Sequence, residues 1–407
     1  MALRDDKRGM AIVTALAITE TTSFGVVFYG FGTFLPSMEK ELGLSKSMIT
    51  GAFSLALLIS GVCGLAVGRY LDRHSPRVVM TIGSLLSVVG VFAWSHAHSI
   101  LTLYFAWALI GLAMSAILYE PAFVVIARRF SGLDRTRALT LVTLLAGFSS
   151  TVFVPLEEWL IRTQDWRPAL RTLAVILLVV TVPLHGLVLR DAPPPEGQSA
   201  DDPSILASPP SMTVAAALRD RRFWFLLSAG FLIALTFSGM IAHQISMLEE
   251  RGWVPRDAAR AVGAIGLWQV GGRLVFAPLM RRVSSRSVTV VIYACQVVAL
   301  ILLAFSTAVG SVVVVVAATG IARGMYTLVR ATLVGDLFGT ANYGAISSRL
   351  ALAATVAQAI GPLLGSSLHS GPGGYTTMLW VLAACAIAAT VLASQVERRR
   401  SAGVVTV

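Results

Sequence analysis

A soluble chain of 407 residues would be read as two or three domains. Here 56% of the residues are apolar and 13% charged, too little polar surface to coat a core of that size. The formal net charge of +11 is spread as arginines through short turns rather than gathered on one domain. That pattern argues against nucleic acid as a partner and for a lipid bilayer.

Taken in chain order, twelve segments approach the length that crosses a membrane: 10–36, 48–68, 77–95, 100–127, 138–160, 169–189, 222–247, 258–280, 287–308, 311–335, 346–368 and 375–394. The predicted fold class is an all-α membrane protein with twelve transmembrane helices in two six-helix halves. The charged start, 1–8, leads into an apolar run too long for a signal peptide, so it is read as a retained first span. Between the sixth and seventh spans lies the one long polar stretch, 191–219, with Pro193-Pro194-Pro195, Asp201-Asp202 and Pro209-Pro210. Such a composition buries no core and is expected to be a mobile linker. The predicted organisation is an N-terminal bundle 1–190, a cytoplasmic linker 191–220 and a C-terminal bundle 221–407.

Arginine sets the expected orientation. With the N-terminus inside, the inner connections carry Arg69, Arg73, Arg77, Arg128, Arg129, Arg135, Arg137, Arg190, Arg219, Arg221, Arg222, Arg281, Arg282 and Arg286, and the tail adds Arg398-Arg399-Arg400. The outer connections and span ends pair their few cations with acids, among them Glu39, Glu41, Glu157, Glu158, Asp165, Glu249 and Glu250. The bias places a multi-pass protein in the cytoplasmic membrane with both termini in the cytoplasm. Cys63, Cys295 and Cys385 all fall inside apolar runs, without disulfide or metal-ligand spacing, and read as packing thiols. No Walker loop, Gly-x-Ser-x-Gly elbow or metal-spaced His/Cys/Asp cluster occurs, so neither an enzyme nor a cofactor or metal is expected.

The stretch 68–77, Gly-Arg-Tyr-Leu-Asp-Arg-His-Ser-Pro-Arg, follows the pattern Gly-x-x-x-Asp-Arg-x-x-x-Arg. It resembles the loop between helices two and three of the major facilitator superfamily. A shift of 209 residues lays Arg281, Arg282 and Arg286 on Asp72, Arg73 and Arg77, so the basic turn recurs after span eight without its acid. The resemblance implies a secondary transporter that works by alternating access, with its site between two six-span repeats. Gly68, Asp72, Arg73 and Arg77 are then gating candidates. Asp72 is expected to accept hydrogen bonds from a helix N-terminus of its own half, and plain positive-inside anchoring is the alternative for the arginines.

A narrower resemblance, to the monocarboxylate transporter family and its bacterial relatives, rests on Arg129-Phe130, Arg135-x-Arg137-Ala138-Leu139, Ala146-Gly147, Pro155, His243 and Gly272-Arg273. It implies a carboxylate site at Tyr119, Leu145, His243 and Arg273. The chain departs from the animal members in lacking a lysine inside span one. It also has Gln269 where they carry an aspartate, and Leu141 and Val142 where they carry glycines.

Ionisable groups inside apolar spans are functional candidates in their own right. Arg273 offers a permanently charged planar fork to a carboxylate, or a permanent partner to an acid. Arg323 and Arg330 share one helical stripe with Tyr326 and Thr327; Arg323 is the second anion candidate, and Arg330 is placed to snorkel. Glu120, beside the helix-breaking Pro121, and Glu20 are open to two readings, proton carrier or buried ion pair. His243 reads as ligand, relay or solvated mouth residue, and Gln244 and Gln269 as cavity hydrogen-bonders or interhelical contacts. Phe24, Phe28 and Phe148 read as core.

Two midplane cations favour an anionic small-molecule substrate, and a co-transported proton would neutralise it. The expected function is therefore symport of a small organic anion, a monocarboxylate, with protons. The alternatives are proton-driven efflux of amphipathic drugs, which would make Glu20 or Glu120 rather than Arg273 indispensable, and a non-transporting sensor of the same fold. Alkaline phosphatase fused after Gly43 should be active and fused after Ser75 inactive; the opposite pattern would reverse the orientation.

Overall fold

The computed structural model describes residues 6–189, 211–306 and 308–396. Among them twelve helices are long and apolar enough to cross a membrane: Lys7–Leu42, Met48–Arg73, Pro76–Ser95, Ile100–Arg129, Gly132–Gln164, Trp166–Val188, Arg221–Glu250, Arg256–Leu279, Ser285–Phe305, Val309–Phe338, Tyr343–His369 and Gly374–Ser394. These are spans one to twelve. The chain is an all-α, multi-pass membrane protein, because hydrocarbon offers no water to backbone polar groups and only helices satisfy them within one segment.

The helices gather into two compact units. The first holds spans one to six together with Tyr343–Thr355, the start of span eleven, and the second holds spans seven to ten, twelve and the rest of span eleven. In the first unit, span two packs on span four, three on four and six, and one on five. In the second, eight packs on ten, and nine on ten and twelve. The pairing of two, three, four and six is thus repeated by eight, nine, ten and twelve.

Four spans of the first unit break regular geometry, span six among them with a π turn at Leu184–Val188. Span one carries a π turn, Phe24–Tyr29, in which the Gly30 N–H donates to the Gly25 carbonyl. Span four breaks at Leu118, which is extended. The cause lies ahead of the break: Pro121 has no N–H to give, and its ring crowds the carbonyl four residues back, at Ile117. Span five breaks between the helices Gly132–Ala146 and Ser149–Gln164.

Aromatic side chains fill the first unit's core. Phe31 stacks on Phe53 at 4.7 Å and meets Trp107 edge-on at 5.1 Å, and Trp107 reaches Trp94 at 4.8 Å. Beside this core a polar clasp ties three connections together. Glu41 accepts from Trp166 Nε1 and from Arg167 Nε (2.9 Å), and the Arg167 guanidinium donates to the carbonyls of Ser95 (2.9 Å) and Ala97 (2.8 Å).

At the chain's start, Asp6 caps span one through the Gly9 N–H (2.8 Å) and pairs with Arg129 (2.6 Å). Partial burial pushes the Asp6 carboxyl up, but the Gly9 and Arg129 hydrogen bonds outweigh it and hold the group below its ordinary value. Its stabilising contribution is therefore full above the ordinary carboxylate range and is lost as pH falls through the lowered value.

Three sequence expectations change. The described end of the stretch 191–219 is not free. Met212 N donates to the Phe338 carbonyl (2.9 Å), Ser211 Oγ accepts from Thr340 N and Ala341 N, and Val214–Arg219 is a helix. Backbone groups of the turn after span ten supply partners that composition does not show. Residues 190–210 and Arg398-Arg399-Arg400 lie outside the described residues. Arg135, counted with the inner loops, is a buried helical residue, as is Glu157, counted with the outer acids.

Small residues set the spacing of the second unit. A side chain at Gly272 would bring its Cβ to 2.5 Å from the Ile321 carbonyl oxygen, and one at Gly320 to 2.7 Å from that of Ile265, whereas Gly271 faces open space. Substitution should follow that asymmetry. Gly272→Ala is expected to cost about 1–3 kcal/mol through overpacking, and Gly271→Ala to stabilise by up to about 1 kcal/mol through helix propensity. Thermal unfolding of the two variants in detergent checks the difference.

Candidate functional site

In the first unit the broken helices bring three predicted site residues, Tyr119, Glu20 and Glu120, together. The extended Leu118 restarts span four at Tyr119, so Tyr119 and Glu120 open a new helix. The Tyr119 ring lies 4.5 Å from Phe24 and stacks on Phe123 at 5.3 Å. Phe24 opens the π turn and meets Phe28 at 5.7 Å. Phe24 and Phe28, read as core from the sequence, are half-buried and belong to this cluster.

Glu20, four residues before Phe24, is fully buried, and neither carboxyl oxygen has a hydrogen-bond partner. Glu120 is near enough to interact with it electrostatically. Glu120 itself accepts a hydrogen bond from Ser347 Oγ at 2.6 Å. A carboxyl with no donor is expensive as an anion and cheap as a neutral acid. Leu145 and Phe148, flanking the break in span five, are exposed at 40% and 42% and are not part of the Tyr119 cluster.

The candidate anion contacts of the second unit lie along spans eight and ten. Arg273 is 8% exposed and follows Gly272, where span ten comes into close contact. Gln269, one turn earlier, turns its backbone carbonyl toward Gly324. Arg323 sits 5.8 Å over the Phe237 ring, a cation–π arrangement that keeps a guanidinium charged at low desolvation cost. Arg323, Tyr326, Thr327 and Arg330 are all half-buried, while Gly324, Met325, Leu328 and Val329 are buried. The shared stripe expected from their spacing is present.

His243 is held on span eleven instead. Its Nε2 lies 3.0 Å from the Pro362 carbonyl oxygen, and its ring packs where a Cβ at Gly365 would fall 2.6 Å away. Neighbouring Gln244 is buried with its amide unpartnered.

The gating candidates separate into working and solvated members. Asp72 accepts from Gly344 N and Ala345 N, both at 2.7 Å. These are orphan donors of the first turn of span eleven, whose own N-cap, Asn342, makes no side-chain cap bond. Asp72 therefore caps this helix from a distance, its charge set against the positive end of the helix dipole. The capped helix belongs to the second half of the sequence, not to the half that carries Asp72 as expected. Gly68 makes the approach possible, since a side chain there would collide with the Gly344 carbonyl.

Arg73 and Arg77 are exposed, and neither side chain forms a hydrogen bond or ion pair among the described residues; Arg77 contributes its backbone N–H to the Ser75 cap. The cation that fastens this turn is Arg128 at the end of span four, which donates to the Leu71 and His74 carbonyls.

Sequence reasoning also missed a buried triad. His185, in a second π turn at Leu184–Val188, places Nδ1 2.7 Å from Ser84 Oγ and Nε2 3.0 Å from Thr19 Oγ1. A lone histidine near the end of an apolar run carries no signal of such partners, which come from spans three and one.

Twelve membrane-length helices with intramembrane charges define a polytopic membrane protein. A model of the Major Facilitator Superfamily matches residues 21–319, and the chain belongs to that superfamily. Its sequence is similar to the rat protein Monocarboxylate transporter 13, with 26% identity over 93% of this chain and 87% of the relative. It is also similar to the Oxalate:formate antiporter of Oxalobacter formigenes, with 23% identity over 94% of this chain and 90% of that one. Among solved structures, the fold matches the transporter FucP in its outward conformation, with a TM-score of 0.74 at 14% identity over 95% of this chain and 98% of FucP. The human organic anion transporter MFSD10 gives 0.71 at 14% identity over 95% and 99%.

Removing the remote cap should expose span eleven's first turn. Asp72→Ala is expected to cost about 1–2 kcal/mol and to speed amide hydrogen exchange at Gly344 and Ala345. Arg77→Ala should leave that exchange unchanged.

Proposed function

We propose that this superfamily member is a secondary active transporter of a small organic anion, a monocarboxylate, coupled to protons, in the cytoplasmic membrane with both termini inside. The observation that carries the reading is Arg273: a guanidinium only 8% exposed in an apolar span. Such a group is costly unless it meets negative charge or lines a polar cavity. Arg323 is a second cation on the neighbouring span ten. The activities named for the relatives, monocarboxylate transport and oxalate:formate antiport, concern carboxylates and support the same class.

Tyr119 offers a hydroxyl donor, and Gln269 and His243 offer polar groups in the second unit. Glu20 and Glu120 are the proton carriers of this reading. Asp72, seated on span eleven, stabilises one access state.

Exchange of one carboxylate for another is a second reading, favoured by the antiporter relative. Uptake in proteoliposomes separates the two. Lactate, pyruvate, formate or oxalate uptake driven by an inward proton gradient is expected for symport. Uptake that needs an internal carboxylate and ignores the gradient selects exchange. In either case Arg273→Ala should lower the flux at least about tenfold, the kinetic equivalent of ~1.4 kcal/mol, and Arg273→Lys should restore it only in part, because an ammonium lacks the planar fork. Undiminished carboxylate flux in Arg273→Ala would remove the anion-anchor role.

A further inference from the structure

Glu157 takes no part in the reading above, yet it is among the most completely buried ionisable groups of the first unit. Glu157 has no exposure and no ion-pair partner among the described residues, and the hydroxyl of Thr33 is its hydrogen-bonding neighbour. It lies on the helix Ser149–Gln164 of span five and packs against span one. A Cβ at Gly30 would fall 2.8 Å from Glu157 Oε1, so the carboxyl rests directly on the glycine's backbone. One turn earlier on span five, Phe153 rests on Gly25 in the same way.

Those two contacts are four residues apart on span five and five apart on span one. In an uninterrupted α-helix the residue stacked one turn after Gly25 would be Tyr29. The π turn inserts one residue and brings Gly30 to that place instead. A tyrosine there would leave no room for the carboxyl. The helix irregularity and the buried acid are thus one construction, and the π turn makes the space that Glu157 fills.

Titratable groups lie along each element packed against this site; His185 of span six is bonded to Ser84 and Thr19. On span one the titratable groups are Glu20, buried without a hydrogen-bond partner, exposed Tyr29, and Glu39, Lys40 and Glu41 at the far end. On span six, Arg167 is held by Glu41 and Arg171 is exposed. On span five itself, Glu158 and Arg162 are exposed. None forms an ion pair with Glu157; its polar neighbour is the half-buried Thr33.

We propose that Glu157 is a proton-binding site that controls how span one packs on span five. Protonated, the carboxyl lies flat on Gly30 and the π turn is closed over it. On deprotonation the O–H bond breaks, its electrons stay on the carboxylate and water takes the proton. The unpaired anion cannot remain against apolar backbone, so the Glu157–Gly30 contact opens to admit water. The wide turn at Phe24–Tyr29 supplies the slack, because returning to α geometry moves Gly30 off the acid. The site goes beyond the carrier assignment and uses none of its residues.

The test uses full-length protein in lipid nanodiscs without substrate, so a wrong cargo assignment leaves it intact. Infrared difference spectra between mildly acidic and alkaline pH should show a protonated-carboxyl band that is lost on alkalinisation and is absent from Glu157→Gln. Spin labels at Gly32 and Trp159 should move apart with rising pH in the wild-type background and stay in place in Glu157→Gln. A monodisperse Glu157→Gln protein that reproduces the full wild-type band, or the same pH-dependent separation, overturns the proposal. Should that variant not fold, Gly30→Ala replaces it, since the new methyl must displace the carboxyl. Its band should shift, and an unshifted band counts against the site.

Discussion

Backbone hydrogen bonding in hydrocarbon governs the rest of this structure. Each unsatisfied N–H or carbonyl costs several kcal/mol without water, so a span stays helical unless something local replaces the lost bond. The departures are therefore informative, and two of those in the first unit sit beside the candidate site. The π turn Phe24–Tyr29 keeps its ladder by the longer Gly30-to-Gly25 bond. The break at Leu118 follows from Pro121 and places Tyr119 and Glu120 at a helix start. Between them these two irregularities bring Phe24, Tyr119, Phe123, Glu20 and Glu120 into one neighbourhood.

Close backbone approach is the second organising device, and glycine is its means. Gly68 and Gly344 let span two reach the start of span eleven, where Asp72 satisfies two orphan donors with one carboxylate. Gly272, Gly320 and Gly324 do the same for spans eight and ten, and there the reward is dispersion contact along a seam that holds Arg273. In lipid, where apolar association between helices gains little, such tight packing and a few fully used polar groups carry the specificity.

Much of this was legible in the residues themselves. The twelve spans, the repeat and the charged stripe of span ten follow from hydropathy and helical period, which are local properties. The importance of Asp72 was legible from its place in the basic turn, but its partner was not: a cap on a helix 272 positions away leaves no mark in either segment. Arg135 and Glu157 were misplaced for a related reason. Counting charges near span ends treats each as solvated, whereas burial depends on which neighbour covers that face.

What the sequence by itself determined is the class of molecule, because spanning length, arginine bias and the Gly-x-x-x-Asp-Arg-x-x-x-Arg turn are each readable within a few tens of residues. What only the tertiary structure decided is the environment of each ionisable group. Glu41 is clasped by Arg167, Asp72 seated on span eleven and Glu120 bonded to Ser347, while Glu20 is buried with no donor and Glu157 beside the Thr33 hydroxyl. The cost of a charge depends on its partners and on the dielectric around it. Both are set by residues far away in the chain.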